Sequence, residues 1–481
     1  VRRALPLLVL LAGSLAVAAA LRPRATPARV AVTPEPEGSV RWIVAGGGSE
    51  PALNQIQLEQ DLVLARQRLS PLGPGRVLFA GGPGSRAVQV LRGEEAPTLR
   101  QRLARILDPR SGRDGRYQAA AIAPDGPATR GGIVAAVREA LAADPVAPLT
   151  VYLAGHGSGG RTTAEVIFRT WGSGDLRMGD LAALFDGPHR PTRVVVTSCY
   201  GGAFADLVFE RGAPEAGAHE GELCGLFATT WDRVAAGCDP NPERGAQEGY
   251  GIHFLHALAG RDREGRPAEG IDLDGDGAVG LLEAHTRAQI ASRSLDVPST
   301  TSERWVRHAV EEDAPGDALL ELPEERALLE GLTARTGAAD AAEAAARWRA
   351  IDARVDAMAE EVRGLDGRIR DLEDDLRAAL LHTYPALDDA WHPDFVETLD
   401  GHAGELERWL DEREELARLE ALSRRRDDLA DAHDDRLVEA APYERMMRAA
   451  ETMRRAAILR ARGGPAWARF EALRACERAT P

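Results

Sequence analysis

Cys199 and His156 are the two side chains here whose type and setting suit covalent chemistry. Each follows an apolar run and precedes glycine: Leu149–Ala154 leads into Gly155-His156-Gly157, and Arg193–Thr197 leads into Ser198-Cys199-Tyr200-Gly201-Gly202. A thiolate is a strong nucleophile, but it needs a base to take its proton and donors to hold an oxyanion. His156 would be that base, holding the thiolate and later protonating a leaving amine. The N–H groups of Gly157 and Cys199 would be the donors, and the flanking glycines let a peptide backbone come close. Taken singly, a strand-end histidine reads as a loop residue and a lone cysteine as an inert core thiol. The matching of the two settings is what favours chemistry.

Such a pair works only if two strand ends lie side by side. The surrounding sequence repeats a unit of apolar strand, glycine-rich turn and amphipathic helix. Strands are expected at Val40–Ala45, Arg76–Ala80, Leu149–Ala154, Arg193–Thr197 and Leu226–Thr230. Helices are expected at Leu53–Leu69, near 97–107, at Ile133–Ala143, Met178–Phe185 and Gly251–Ala259, with a short one from Ala203. This alternation implies an α/β fold with a mostly parallel sheet covered on both faces. Ligands of such sheets bind outside the carboxyl ends of the strands, where His156 and Cys199 both fall.

Two rival readings fail on spacing. A Gly-x-Ser-x-Gly elbow around Ser158 would need glycine at position 156, and a dinucleotide fingerprint from Gly46 would need it at Pro51. The formal net charge of −16 argues against nucleic-acid binding. All basic residues are arginine, the mark of a GC-rich genome. Residues 1–20 carry Arg2 and Arg3, an apolar run from Leu5 to Val17 and an Ala-x-Ala end, the pattern of an export signal. Residues 21–38 read as a linker or short propeptide. The expected location is therefore periplasmic or extracellular in a bacterium, with no stable membrane insertion after signal cleavage. Of the four cysteines, an exported chain could pair Cys224 with Cys238, leaving Cys199 as a free thiol.

Residues 272–283 read DLDGDGAVGLLE. Asp272, Asp274 and Asp276 take positions one, three and five of a calcium loop, Gly277 the sixth and Glu283 the twelfth. With the Ala278 carbonyl they make an oxygen cage for a structural Ca²⁺. The entering segment Arg261–Gly270 lacks a helical pattern, so this is a lone, modified hand. Beyond about residue 315 strands disappear. Trp348, Ile351, Val355, Met358, Val362, Leu365, Ile369, Leu372 and Leu376 step by three and four, a coiled-coil seam that Pro385 and Pro393 end. A second charged helix is expected from about His402 to His433. The simplest arrangement is an antiparallel hairpin; β-branched residues at one seam position also suit a parallel dimer, so self-association or a protein partner at this seam is a second reading.

The segments VYLAGHGSGG and VVVTSCYGGAFADL resemble the caspase–legumain clan of cysteine peptidases, marked by one strand ending in His-Gly and another ending in a small residue plus Cys. CYGGAFADL with LFATTWDRVAAGC, and the earlier WIVAGGGSEPALNQIQLEQDLVLARQRL, look most like bacterial legumain-family members. The resemblance covers about residues 40–290. It implies a caspase-like three-layer domain over residues 39–300; the helical region read from the heptad spacing takes up 316–481. It also implies hydrolysis of a peptide or protein substrate, a Cys199–His156 dyad and Gly157 as oxyanion donor. Pocket residues then come from the loops after the first and fifth strands, near Asn54, Asp232 and Asp239, either carboxylate placed to receive a basic side chain. Ser198 stands where the clan has alanine, and Tyr200 where legumain has an acidic residue, so an asparagine-preferring pocket does not follow. A catalytically silent scaffold that recruits partners through its helices is the alternative.

Overall fold

The computed structural model describes residues 40–91, 96–107, 115–143, 147–187 and 189–481. The expected export signal and linker lie outside them. Six strands form one sheet in the order β11-β10-β9-β5-β1-β2. They are β1 (Trp42–Gly47), β2 (Gly75–Phe79), β5 (Leu149–Gly155), β9 (Thr192–Thr197), β10 (Leu223–Phe227) and the short β11 (Ser299–Thr300). All neighbours are parallel except β10 and β11. The remaining ladders are small: β3 (Val88–Leu91) with β4 (Gly115–Gln118), and β6 (Gly157–Ser158), β7 (Ile167–Arg169) and β8 (Asp175–Arg177). Expected and observed strands agree to within a few residues, the largest slip being Leu226–Thr230 against β10 at Leu223–Phe227.

The central strands are continuous apolar runs because both sheet faces are buried. Side chains alternate between the faces. Trp42, Val44, Tyr152, Ala154 and Val195 meet helices α1 (Ile56–Leu69), α5 (Tyr250–Ala257) and α6 (Leu281–Ala291) through Leu62, Phe254 and Leu282. Ile43, Ala45, Val151, Leu153 and Val194 meet α3 (Arg130–Ala143) and α4 (Met178–Ala182) through Ile133, Val137 and Leu181. Helix α2 (Leu99–Leu107) turns Leu103 and Ile106 away from the sheet, towards the helical region.

Helices α7 (Thr301–Ala309) and α8 (Pro323–Thr336) lead into α9 (Ala341–Thr383). Beyond the short α10 (Phe395–Gly401) and α11 (Ala403–Asp411), α12 (Glu414–Arg462) runs back along α9, and α13 (Gly464–Arg478) follows. The pairing is antiparallel: Ile351 and Val355 bury against Ala440, while Leu365, Ile369 and Leu376 share a core with Leu419 and Leu422. The seam is thus covered within one chain. Helix α12 extends well past the expected end near His433 and carries a buried Pro442 in its interior.

The composition change near residue 315 marks no structural break, because residues 39–481 form one compact unit. Trp305 of α7 shares a core with Val208 and Phe209 on one side and with Met453, Phe470 and Leu473 of the last two helices on the other. A disulfide joins Cys224 in β10 to Cys476 in α13, with Cα atoms 6.1 Å apart. This corrects the pairing of Cys224 with Cys238: the side chain of Cys224 faces α13, whereas Cys238 lies beside His156. No helix among the described residues is long and apolar enough to cross a membrane.

Candidate active site

Strands β5 and β9 are direct neighbours, and their register ends with Ala154 opposite Thr197. Continued by two residues, that register brings His156 level with Cys199 at the carboxyl end of the sheet. Both residues are half-buried. Gly157 lies so close to the backbone of Cys199 that a Cβ there would stand 2.0 Å from the Cys199 carbonyl oxygen, so only glycine fits. After the cysteine the chain turns sharply. Tyr200 has a left-handed backbone (φ 59°) and donates its N–H to the Arg233 carbonyl at 2.7 Å. A left-handed tyrosine costs on the order of 1 kcal/mol, offset here by the turn it makes.

His156 is oriented by groups that carry no motif. Its Nε2 lies 2.8 Å from the Leu53 carbonyl oxygen and 2.9 Å from Gln55 Oε1. A carbonyl only accepts, so Nε2 carries the proton and Nδ1 is left as the basic nitrogen. Burial lowers the His156 pKa below its ordinary value; the Leu53 carbonyl opposes this and the Arg169 charge adds to it. The side chain is therefore a neutral imidazole at neutral pH.

Nδ1 faces a residue the sequence did not single out for the site. The Cys238 thiol lies 3.6 Å from it. The Cys199 sulfur is bracketed by Ala235, whose N–H donates to it at 3.3 Å and whose carbonyl accepts from it at 3.6 Å. Burial raises the Cys199 pKa, with help from the Asp296 charge; amides of Ala235, Cys199 and Gly157 pull the other way. Burial also pushes the Cys238 thiol well above its usual range. Burial thus favours the uncharged form of both Cys199 and His156, whereas the residue types alone suggest an ion pair. Segment 231–240, which follows β10, thus contacts both Cys199 Sγ and His156 Nδ1.

The expected pocket residues separate. Asn54 is fully buried, and its side-chain amide is taken up by backbone: Oδ1 accepts from Gly48 N–H at 2.9 Å and Nδ2 donates to the Ala87 carbonyl at 3.1 Å. It shapes the loop after β1 and is not placed to receive a substrate. Asp239 is held against α1, its N–H donating to Gln57 Oε1 at 2.9 Å and its carboxylate accepting from Asn241 N–H. Asp232 is exposed and accepts from Thr230 Oγ1 at 2.6 Å. It alone of the three lines a cavity of about 490 Å³, with Thr163, Gly202, Trp231, Arg307 and Arg448 among the other walls.

In the acidic loop, one carboxylate oxygen from each of Asp272, Asp274 and Asp276 lies within 4.8 Å of the others. Gly275 and Gly277 take positive φ, and Asp272 accepts from both of their N–H groups. Ala278, at position seven, donates its N–H to Asp276 at 2.8 Å. Glu283 is buried and turned to backbone amides, accepting from Leu273 at 2.6 Å and from Gly280 at 2.8 Å, which caps α6. Three convergent carboxylates suit a hard cation. Glu283 would have to leave its cap to complete the cage.

Comparison of the chain with protein-family models and with curated proteins gives no match.

Proposed function

We propose that the chain is a cysteine endopeptidase with a caspase-like fold, Cys199 serving as nucleophile and His156 as base. The observation that carries this reading is the β5–β9 register, which brings the two residues level at the ligand-binding end of a parallel sheet. As Cys199 Sγ attacks the scissile carbonyl carbon, its proton passes to His156 Nδ1. The Gly157 and Cys199 N–H groups hold the oxyanion. When the C–N bond breaks, the same proton goes to the leaving amine, and water then hydrolyses the thioester. Segment 231–240 must withdraw its Ala235 and Cys238 contacts first. A Ca²⁺ held by Asp272, Asp274, Asp276, the Ala278 carbonyl and Glu283 stabilises the loop before α6. The N-terminal signal makes the enzyme an exported one.

The occupation of both reactive atoms by the chain's own segment favours one second reading, a silent scaffold that recruits partners through its helices. Replacement separates the two. Cys199→Ala abolishes cleavage of a peptide library with the fold intact, whereas Cys238→Ala keeps turnover at or above that of the parent chain. Cleavage that persists in Cys199→Ala sinks the peptidase proposal, and loss confined to Cys238→Ala transfers the nucleophile to Cys238.

A further inference from the structure

Segment 231–240 covers Cys199 and His156; helix α1 holds it at Asp239, and a second hold comes from the far end of the chain. Glu444 of α12 pairs with Arg233 at 2.6 Å, and the Arg233 carbonyl receives the Tyr200 N–H beside the thiol. The N–H of Ala236 donates to Asp296 Oδ1 at 2.7 Å, and the other oxygen of that carboxylate accepts from the Tyr250 N–H at 2.7 Å. Asp296 is fully buried and so ties the site segment to the start of α5.

Arg445, next to Glu444, grips the backbone around Asp296, whose own N–H donates to Ser294 Oγ at 3.2 Å. Arg445 Nε donates to the Asp296 carbonyl at 2.7 Å, Nη1 to Gln289 and Ser292 carbonyls at 2.7 and 3.2 Å, and Nη2 to the Ser294 carbonyl at 3.0 Å. The side chain is 1% exposed. All four of these acceptors are backbone carbonyls, so the guanidinium wraps the turn after α6. Burying a cation this way is costly compared with an apolar side chain of similar size. The return is geometric, because a planar fork with five donors fixes several carbonyls at once.

We propose that Arg445 is a positioning residue for the reactive thiol: through the 289–296 turn and the Asp296 carboxylate it sets where Ala235 and Ala236 stand over Cys199. The helical region is by this account a working part of the site. The proposal rests on Cys199 as the reactive thiol, and two of its readouts need no turnover.

The test uses the full chain with Arg445→Met and Arg445→Lys. Hydrogen exchange is followed at Ala235, Ala236 and Tyr250, iodoacetamide labelling at Cys199, and steady-state kinetics on a cleaved peptide. In folded Arg445→Met, exchange at these amides rises about tenfold or more. Cys199 labels several-fold faster because its cover loosens. kcat holds or rises, because the segment that must withdraw before attack is gripped less firmly, with little change in KM. Arg445→Lys falls between, and millimolar guanidinium restores part of the protection lost in Arg445→Met. A uniform structural lesion would instead raise exchange to the same degree at amides of the central strands far from segment 231–240. Exchange and labelling within twofold of the parent chain in folded Arg445→Met overturn the proposal. If that variant does not fold, Asp296→Asn reads the same link from the carboxylate side, and unchanged exchange at Ala235, Ala236 and Tyr250 overturns it there. Shifts in exchange and labelling in a chain that cleaves no peptide uphold the positioning and reject the peptidase reading alone.

Discussion

Cys199 and His156 sit in surroundings that push their titrations apart in an unusual sense. Burial raises the thiol, with the Asp296 charge adding to it and the neighbouring amides opposing; burial lowers the imidazole, with Arg169 adding and the Leu53 carbonyl opposing. Both groups are therefore uncharged between the lowered imidazole pKa and the raised thiol pKa. Iodoacetamide labelling of Cys199 should be slow at pH 7 and climb as pH rises past the ordinary thiol range, while any acid limb lies below the usual imidazole pKa of about 6.5. A labelling plateau that begins below pH 7 would show a preformed thiolate and reject the neutral resting pair. The approach of the two strand ends that carry His156 and Cys199 was legible in sequence because each residue ends an apolar run. Its support was not. The Leu53 carbonyl has no residue signature, and Cys238 reaches Nδ1 only because segment 231–240 folds back over the sheet end. Asn54 misled for a related reason: it stands after the right strand, but which way its amide points depends on Gly48 and Ala87.

At the scale of elements, the acidic loop before α6 gives the clearest expectation. Its three aspartates repel one another while Glu283 serves as a helix cap. Asp274→Asn should leave the melting temperature unchanged or slightly raised in chelator, since it removes like-charge repulsion. The parent chain should gain about 1–3 kcal/mol in excess calcium, as a site of weak extracellular type would supply, and the variant should lose most of that gain. A melting temperature that ignores calcium in the parent chain removes the ion from the proposal. Elements themselves were legible where periodicity is long. The α9 seam is the best case, with Ile351, Val355, Leu365, Ile369 and Leu376 all buried. Ladders of two or three residues, such as β6, β7 and β11, are too short to show a period. The register of β10 slipped because Cys224 and Gly225 do not read as strand, yet they form one between β9 and the disulfide. Helix α12 overran its expected end because Ala440, Ala441 and Pro442 are packed into the hairpin, which outweighs the lost hydrogen bond at the proline.

For the whole molecule, the change in composition concealed continuity. The last two helices share a core with the sheet edge through Trp305, Phe470 and Leu473, and the Cys224–Cys476 bond closes a separation of 252 residues. Loop entropy sets an upper bound of about 5 kcal/mol on its stabilisation, and native disulfides commonly supply about 2–5. Cys476→Ser should lower stability in urea by that order, whereas Cys238→Ser should not. Non-reducing peptide mapping that links Cys238 instead of Cys476 would reject this connectivity. Neither the bond nor the Arg445 contacts follow from any local pattern, because their partners lie in segments of opposite character, glycine-rich strand ends and arginine-rich helix.

The same separation bears on how the protein is made. A ribosome delivers β9 and its thiol long before it delivers Arg445 or Cys476. Until those residues emerge, nothing from α12 or α13 can grip the turn that sets segment 231–240, and β10 lacks its covalent partner. A half-made chain thus carries its thiol after β9, beside a β10 that is not yet braced. Order of synthesis becomes a delay on covering the thiol, and a chain truncated before Arg445 should leave the ribosome with a cysteine that labels freely.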